Sequence, residues 1–388
     1  MKSVLLLLGA SFFSWMLNKI LLRFSKNFGV ESRKEQTGLV RWASTSKPTT
    51  GGISFYITFL IGSLILLIMN SGVTTENGNV FLALFLSATM AFMVGFADDA
   101  YGTHPLLKFL GQVACGGILI AFGLHIQFFQ LWSPQLVLLD YALTIFWVVG
   151  MMNSLNMLDN MDGVTATIAT SILMTTMWVL IAREGVSTLF MVMTTIIGGF
   201  VGFLFWNWRP AKVYMGDTGS MFIGLVLAFA GMQYFWNIKT SVDNISHIRT
   251  ILIPVMVFIV PIMDTTFVTV ARIARGSSPF VGGKDHLTHN LVRVGVPEHL
   301  VPVLLGMVSI VSGLLAIFVC NLIPEWRNLY SLMFAIYPVT VFTLFTTLYI
   351  RGTRIGHMRD MLEKRGAQVR EHQNTAPQPV SLPASQNN

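Results

Sequence analysis

Two adjacent aspartates, Asp98 and Asp99, end a long apolar stretch in the segment FADDAYG. Neighbouring carboxylates repel each other unless a cation or a shared proton relieves the repulsion. Solvation at a membrane boundary would need only one such group, so the pair indicates a functional site. Mg²⁺ prefers oxygen ligands and often combines carboxylates with substrate phosphates, which makes the pair a candidate magnesium site. Lys108, further along the chain, is interpreted as a lipid-headgroup contact.

Amide and carboxylate side chains recur in the segment NSLNMLDNMDG, which begins at Asn153. Asn153, Asn156 and Asp159 follow an i, i+3, i+6 spacing, which keeps them roughly on one face of a helix. Unpaired amides in an apolar stretch cost free energy. A polar contact between helices could explain one of these residues, but it does not explain them together with Asn160 and Asp162. The segment is therefore predicted to line a site.

The segment WNWRPAKVYMGDTGS ends in Gly-Asp-Thr-Gly-Ser at the start of a predicted helix. Backbone N–H groups at a helix N-terminus can hold an anion, and Asp217 could bind a cation. The alternative is a simple helix cap, in which an Asp or Thr side chain bonds the first N–H groups. Capping needs only one such residue, so the excess favours a functional site.

Two histidines, His286 and His289, lie in the segment PFVGGKDHLTHN. A zinc site would need a cysteine or a third ligand at short spacing, which this segment lacks. A histidine pair beside Lys284 and Asp285 better fits phosphate contact or proton transfer.

Two further polar features are weaker on their own. Asp264 lies about two turns inside a predicted membrane helix, so it is a functional or pairing residue, with Arg272 or a donor on a neighbouring helix as its candidate partner. The segment KPTTGG, which begins at Lys47, could meet a phosphate, but a plain loop before a helix is the simpler interpretation.

The elements that position these residues are predicted to be membrane helices. Charged residues make up 11% of the 388-residue chain, against about 25% in soluble domains. Hydrophobic residues make up 53% and gather in stretches of about 20 residues, the length that crosses a bilayer as a helix. The two cysteines, Cys115 and Cys320, lie inside such stretches and offer neither a metal spacing nor a disulfide framework.

Eleven candidate spans fit this pattern, at about 3–23, 52–70, 79–97, 106–124, 136–154, 163–182, 187–205, 218–236, 250–272, 300–322 and 329–350. Backbone groups must be paired in lipid, and the stretches lack the alternation of barrel strands, so helices are expected. The predicted fold class is all-α: a polytopic membrane bundle of about 11 helices that forms one domain over residues 1–350. Residues 351–388 are expected to form a basic and then disordered cytoplasmic tail.

Lys and Arg residues give the orientation, because they are enriched in cytoplasmic loops. One set of loops holds 20 of the 25 basic residues, which predicts an outside N-terminus and a cytoplasmic C-terminus. The five polar segments then fall at the cytoplasmic face, and Asp264 lies inside the membrane. The net charge of +7 is explained by this orientation, so no nucleic-acid partner is predicted.

Together and in this order, the motifs resemble those of the polyprenyl-phosphate N-acetylhexosamine-1-phosphate transferases, glycosyltransferase family 4, over residues 40–295. The resemblance implies that a UDP-aminosugar gives its sugar-1-phosphate to undecaprenyl phosphate and releases UMP, with Mg²⁺ or Mn²⁺ as cofactor. It also implies a bacterial inner-membrane enzyme of cell-envelope polysaccharide synthesis, which contacts membrane lipids. A homodimer is left open.

The resemblance carries roles over to the acidic residues. Asp98 and Asp99 match paired aspartates near the metal and the lipid phosphate, so both are candidates for catalysis and metal binding. Asp217 matches the magnesium ligand. Asp159 and Asp162 match the motif that lines the nucleotide site, and they are catalytic candidates.

Substrate-binding roles follow in the same way for the amide and aromatic residues. Asn153 and Asn156 belong to the motif that lines the nucleotide site, and Asn207 and Tyr214 match positions that contact uridine.

The histidine segment and two lysines complete the implied site. His286 and His289 match a histidine motif that faces the diphosphate, and both are catalytic candidates. Lys47 lies in the matching Pro-Thr-x-Gly-Gly loop, and Lys284 and Asp264 are further substrate-binding candidates.

The sequence departs from the family pattern at two positions. Asn160 replaces a frequent glycine, and Asn290 stands where a second consecutive histidine is common. Asp264, with its neighbouring Pro and Thr, looks like the GlcNAc-type branch, which implies UDP-GlcNAc or a similar small donor. The rival interpretation is a proton- or sodium-coupled transporter, but such carriers usually have internal repeats and polar groups at mid-membrane.

Overall fold

The computed structural model describes residues 2–27, 47–69, 75–238, 247–278, 283, 285–321 and 326–375. These residues form helices and loops, with no strand among them. The helices are α1 (Lys2–Asn27), α2 (Gly51–Met69), α3 (Thr75–Tyr101), α4 (Pro105–Ala121), α5 (Val137–Leu158), α6 (Val164–Glu184), α7 (Thr188–Asn207), α8 (Gly216–Gly231), α9 (His247–Val257), α10 (Ile259–Ala274), α11 (Leu287–Arg293), α12 (Val301–Asn321) and α13 (Asn328–Thr375).

Within this described part, nine helical segments are long and apolar enough to cross a membrane, and a bent helix pair makes up to ten. The predicted all-α membrane bundle is therefore confirmed. The predicted span at 106–124 corresponds to α4, a shorter apolar helix of 17 residues. It is about 26 Å long, slightly less than the hydrocarbon core of a typical bilayer.

The predicted span at 250–272 is divided into two helices. The axes of α9 and α10 meet at 84° beside Phe258. Pro254 and Pro261 flank the break, and proline disrupts a helix because it lacks an N–H donor. The carbonyl of Pro261 accepts a hydrogen bond from the Ser154 hydroxyl, which holds α10 against α5. The break therefore gives α10, and with it Asp264, a direction of its own.

The centre of the bundle is α8, which is buried along nearly its whole length and extended by a π-helical turn, Met232–Trp236. It packs against α2, α3 and α5. At Gly95 on α3, an added Cβ would lie 2.3 Å from the carbonyl oxygen of Asp217. Only glycine allows this approach, which brings the end of α3 beside the start of α8.

The long last helix, α13, continues past residue 350, where the sequence analysis ended the membrane domain, to Thr375. Its first part packs against α10, with the rings of Phe267 and Tyr349 5.1 Å apart. Further along, it packs against the short helix α11. The predicted disordered segment beyond Thr375 lies outside the described residues.

Candidate active site

Asp98 is held at the C-terminal end of α3 by the turn that follows. Its Oδ1 accepts hydrogen bonds from the backbone N–H of Thr103 at 3.0 Å and from the Thr103 hydroxyl at 2.6 Å. Its Oδ2 accepts one from the Lys108 ammonium at 2.8 Å. Both carboxylate oxygens therefore have donors, and one of them faces a cation.

Asp99 has different partners from its neighbour. Its Oδ1 accepts a hydrogen bond from the backbone N–H of Asp217 at 3.1 Å. Its Oδ2 accepts two from Thr218, from the N–H at 2.8 Å and from the hydroxyl at 2.7 Å. Asp99 therefore satisfies N–H groups at the start of α8, where a negative charge is also favoured by the helix dipole.

Lys108, on α4, joins Asp98 to Asp217. Its Nζ lies 2.8 Å from Asp98 Oδ2 and 2.7 Å from Asp217 Oδ2. A lipid-headgroup contact is predicted for Lys108 from the sequence, whereas the structure shows its ammonium between two carboxylates. The isolated lysine looked like an interfacial residue because its acidic partner on α8 is distant in sequence.

Asn156 and Asn153 lie on the same helix but serve different contacts. The Asn156 amide donates to Asp217 Oδ1 at 2.7 Å and to the Ser220 hydroxyl at 2.9 Å. Asn153 instead exchanges hydrogen bonds with the buried Gln112 of α4, at 2.8 and 3.3 Å. Asn156 therefore belongs to the carboxylate cluster, while Asn153 joins α4 to α5 beside it.

The loop between α7 and α8 is held by Asn207 and Asp162. Asn207 is buried: its Oδ1 accepts from the Gly163 N–H at 2.9 Å and its amide donates to the Val213 carbonyl at 3.0 Å. Asp162 Oδ2 accepts from the Ala211 N–H at 2.9 Å. Both polar ends of the Asn207 side chain therefore have a partner within the protein, and the predicted uridine contact stays a prediction.

Lys47 and Tyr214, which are distant in sequence, meet at this loop. The Lys47 ammonium lies 5.3 Å from the centre of the Tyr214 ring, a distance at which a cation is attracted to the ring face. The backbone N–H of Tyr214 donates to the Pro48 carbonyl at 2.9 Å, and its carbonyl accepts from the Gly51 N–H at 2.9 Å. The predicted Pro-Thr-x-Gly-Gly loop therefore packs against the loop between α7 and α8 that carries Tyr214.

Asp159 and Asn160 lie where α5 ends. Asp159 is the C-cap residue of α5. The Asn160 amide donates to the Met157 carbonyl at 2.9 Å, and its oxygen accepts a 2.5 Å hydrogen bond from the Thr288 hydroxyl. This last bond joins the loop that carries Asp159 to the helix that carries the histidines. The atypical Asn160 therefore has a structural partner that glycine could not provide.

The partner of the buried Asp264 is His286. Asp264 Oδ2 lies 3.0 Å from His286 Nδ1, and Oδ1 accepts from the Leu287 N–H at 2.7 Å. The His289 ring lies 6.1 Å from the His286 ring. Asp264 therefore fixes the orientation of the histidine segment.

Arg272, the alternative partner predicted for Asp264, interacts with Asp285. Its Nε lies 3.4 Å from Asp285 Oδ2, and Arg275 Nη2 lies 2.9 Å from Oδ1. Burial raises the pKa of Asp285, but the hydrogen bonds and positive charges of Arg275 and Arg272 outweigh it and hold that pKa below its ordinary value. Lys284 lies outside the described residues.

No three His, Cys, Asp or Glu side chains are grouped to hold a metal ion in the described ranges. Among the same residues, however, Asp98 and Asp217 hold the Lys108 ammonium between them, and Asp99 lies beside this pair, bonded to the backbone N–H of Asp217. With all four groups ionised, the cluster keeps an excess of two negative charges. The Lys108 ammonium also shows that a cation fits between Asp98 and Asp217. The donor set therefore fits a magnesium ion that takes its other ligands from substrate phosphates and water.

Several residues at the site were missed or misread in the sequence: Thr103, Lys108, Gln112, Thr218 and Thr288. Each contacts a predicted site residue, and Lys108, Gln112 and Thr288 do so across helices. For Thr218 and Thr288 a signal existed, since they lie in the Gly-Asp-Thr-Gly-Ser segment and in the histidine segment. Lys108 and Gln112 carry no local pattern, because their roles depend on which helices become neighbours. Thr103 lies in the turn directly after Asp98.

Comparison with known proteins gives a family match. A family model described as glycosyl transferase family 4 matches residues 81–235, which include the segments around Asp98, Asn156 and Asp217. A Bacillus subtilis protein named "probable undecaprenyl-phosphate N-acetylglucosaminyl 1-phosphate transferase" is 28% identical over 295 residues, covering 74% of this chain and 77% of the relative.

Two further relatives are similar over shorter regions. The decaprenyl-phosphate N-acetylglucosaminephosphotransferase of Mycobacterium leprae is 28% identical and is covered over 68% of its length, by 65% of this chain. The phospho-N-acetylmuramoyl-pentapeptide-transferase of Staphylococcus carnosus is 30% identical and is covered over 65% of its length, by 51% of this chain.

Proposed function

Because the chain belongs to glycosyl transferase family 4, we propose that it transfers N-acetylhexosamine-1-phosphate from a UDP-sugar to undecaprenyl phosphate and releases UMP. The names of the Bacillus and Mycobacterium relatives support GlcNAc as the sugar. The observation that carries the proposal is the cluster in which Asp98, Asp217 and Lys108 meet at the ends of three helices. Such a cluster suits a reaction between two phosphate-bearing substrates.

Asp98 and Lys108 are suited to the lipid phosphate. The ammonium can attract a phosphate, and Asp98 can orient it through the hydrogen bonds that fix its carboxylate. A phosphate monoester is already largely ionised near neutral pH, with a second pKa of about 6. Asp98 therefore needs only to orient the acceptor and take up its last proton. The rest of the rate acceleration comes from holding the phosphate oxygen in line with the phosphorus of the donor.

Asp217 and Asp98 are the residues that would hold a magnesium ion, or a manganese ion in its place. When bound, the metal would neutralise charge on the diphosphate and on the departing UMP. Asn156 keeps the Asp217 carboxylate in position by its 2.7 Å hydrogen bond. Asp99, with three donors from the start of α8, positions that helix, and we assign it a positioning role instead of metal binding.

The loops around the cluster supply the nucleotide side of the site. Tyr214 and Lys47 offer a ring face and a positive charge to the UDP part of the donor. Asp159 and Asp162 line the same loop region, and Asn207 shapes it from within. His286, oriented by Asp264, is suited to contact the diphosphate or to give a proton to departing UMP, and His289 lies beside it.

We place this reaction at the cytoplasmic face of the inner membrane, because UDP-sugars are cytoplasmic substrates and the basic loops lie at that end of the helices. A coupled transporter is the second function considered. The site's polar groups gather at helix ends and loops instead of at the middle of the spans, which favours the transferase.

The test is a transfer assay with the purified protein in detergent. Undecaprenyl phosphate and Mg²⁺ are combined with a panel of radiolabelled UDP-aminosugars, and labelled lipid and UMP are measured. We expect labelled lipid from UDP-GlcNAc, and none when EDTA removes the metal. Intact protein that labels no lipid from any donor would contradict the proposed function. Transport of a donor into liposomes without lipid labelling would favour the carrier.

A further inference from the structure

The part of α13 beyond residue 350 lies unusually close to α11, the helix that begins directly after His286 and contains His289. An added Cβ at Gly352 would lie 2.5 Å from the Asn290 carbonyl oxygen and 2.8 Å from the Asn290 Cβ. At Gly356, it would lie 2.9 Å from Cζ of Arg293. The atoms near Gly352 include the Asn290 backbone, which cannot move aside, so glycine at this position lets α13 lie directly on α11. The atoms near Gly356 belong to the flexible end of the Arg293 side chain, which can move.

A buried polar contact accompanies this packing. Asn290 is fully buried, and its amide donates to the carbonyl oxygens of His286 at 3.1 Å and Asp285 at 3.3 Å. Its side-chain oxygen accepts from the Thr353 hydroxyl at 3.3 Å and from the Arg293 guanidinium at 3.1 Å. Asn290 therefore links α13 to the backbone of His286 itself.

The helix α11, which contains His289, is too short to be stable without contacts to other helices. With seven residues, α11 is much shorter than a helix that is stable in isolation. It is fastened to α10 by the Asp264 contacts and to the end of α5 by the Thr288–Asn160 bond. The contact between α13 and Asn290 holds α11 on a further side.

We propose that the face of α13 formed by Gly352, Thr353 and Gly356 is a positioning element for His286 and His289. The histidines are 5% and 2% exposed, so a small shift of α11 would change both their exposure and their aim. The effect on turnover rests on the proposed function of the site. The effect on the histidines themselves does not.

The first test replaces Gly352 by alanine, which forces α11 and α13 apart. Because misplacement of a catalytic group by about 1 Å can cost about a hundredfold, we expect turnover to fall by at least about tenfold. Gly9→Ala is the control, since an added Cβ there meets nothing within 4 Å. Near-normal turnover of a well-folded Gly352→Ala protein would overturn the proposal.

A milder pair of variants keeps the test decisive if Gly352→Ala fails to fold. Thr353→Val removes the hydroxyl that bonds Asn290 and should lower turnover by about threefold, whereas Thr353→Ser should restore it. Equal activity of the valine and serine variants would contradict the positioning role.

A measurement without substrate separates this proposal from the proposed function. Diethyl pyrocarbonate modifies accessible histidines, and mass spectrometry gives the rate at each site. We expect His286 and His289 to react several-fold faster in Gly352→Ala or Thr353→Val, while the exposed His104 reacts equally in all proteins. Unchanged rates at both histidines would overturn the proposal. If the wild-type protein transfers no sugar but the variants still show this difference in histidine reactivity, the proposed function is refuted and the positioning role is kept.

Discussion

Lys108 is the residue on which the charge balance of the site depends. Its ammonium contacts Asp98 and Asp217, which belong to helices that meet only in the folded protein. It holds two carboxylates at a distance where they would otherwise repel each other. We therefore interpret it as an internal counter-ion that keeps the site assembled before substrates bind.

The change Lys108→Met tests this interpretation. Turnover should fall by about a hundredfold, the cost of removing one preorganised charged group. The Mg²⁺ concentration for half-maximal activity should fall as well, because the ammonium no longer competes for the two carboxylates. Initial rates over a Mg²⁺ titration give both quantities. A variant that needs more Mg²⁺ than the wild type would contradict the assignment.

Asp217 is expected to be the least replaceable carboxylate. It contacts Lys108 and Asn156 and is one of the two proposed metal ligands. Asp217→Asn should lower turnover by about a thousandfold, while the protein still inserts into the membrane and remains monodisperse in detergent. Glu184→Gln, an exposed change at the far end of α6, is the control. Near-normal activity of Asp217→Asn would show that the metal assignment is wrong.

At the scale of elements, the site depends on contacts between short segments of different helices. The loop after α5 carries Asp159 and Asp162, and α11 begins directly after His286 and contains His289. The Asn160–Thr288 bond joins this loop to α11. The sequence alone does not show this contact, because the two residues are distant in the chain.

The pair can be separated by a double-mutant cycle. Thr288→Val and Asn160→Gly should each lower turnover by about three- to tenfold, because each removes the same partly buried hydrogen bond. The double variant should be little worse than either single one, since interacting residues are not additive. Steady-state rates of the four proteins are the measurement. Fully additive losses would mean that the two residues act independently.

At the scale of the whole molecule, the helices bring every described site segment to one end of the bundle. The ends of α3, α5 and α7 and the starts of α2, α4 and α8 meet there, as the hydrogen bonds between them show. α8 lies buried among α2, α3 and α5 and so provides a fixed support for Asp217. A lipid acceptor and a soluble donor can meet only where such a site opens at a membrane surface.

The proposed orientation can be tested with reporter fusions. Green fluorescent protein fused after Asn388 should fluoresce, because the basic loops predict a cytoplasmic C-terminus. Alkaline phosphatase, which is active only outside the cytoplasm, should be active after Gly185 and inactive after Gly276. The reverse pattern would put the active site on the outer face, where UDP-sugars are absent.

The class of molecule and the segments of the candidate site can be read from local properties of the sequence. Apolar length, the distribution of Lys and Arg, and helical spacing are such properties, so the membrane helices and the segments around Asp98, Asn156 and Asp217 could be recognised without coordinates. Local pattern also predicts that the histidine segment is not a zinc site, and this stays a prediction.

Only the tertiary structure decided which of these groups face each other. It showed that Asp98 meets Lys108 and Asp217 while the adjacent Asp99 bonds the start of α8. The structure also shows a bend of 84° within the predicted span at 250–272 and a contact between Asp264 and His286. These outcomes depend on the rotation and close approach of helices that are distant in sequence. Lys108 and Asp217, 109 residues apart, carry no local record of their contact.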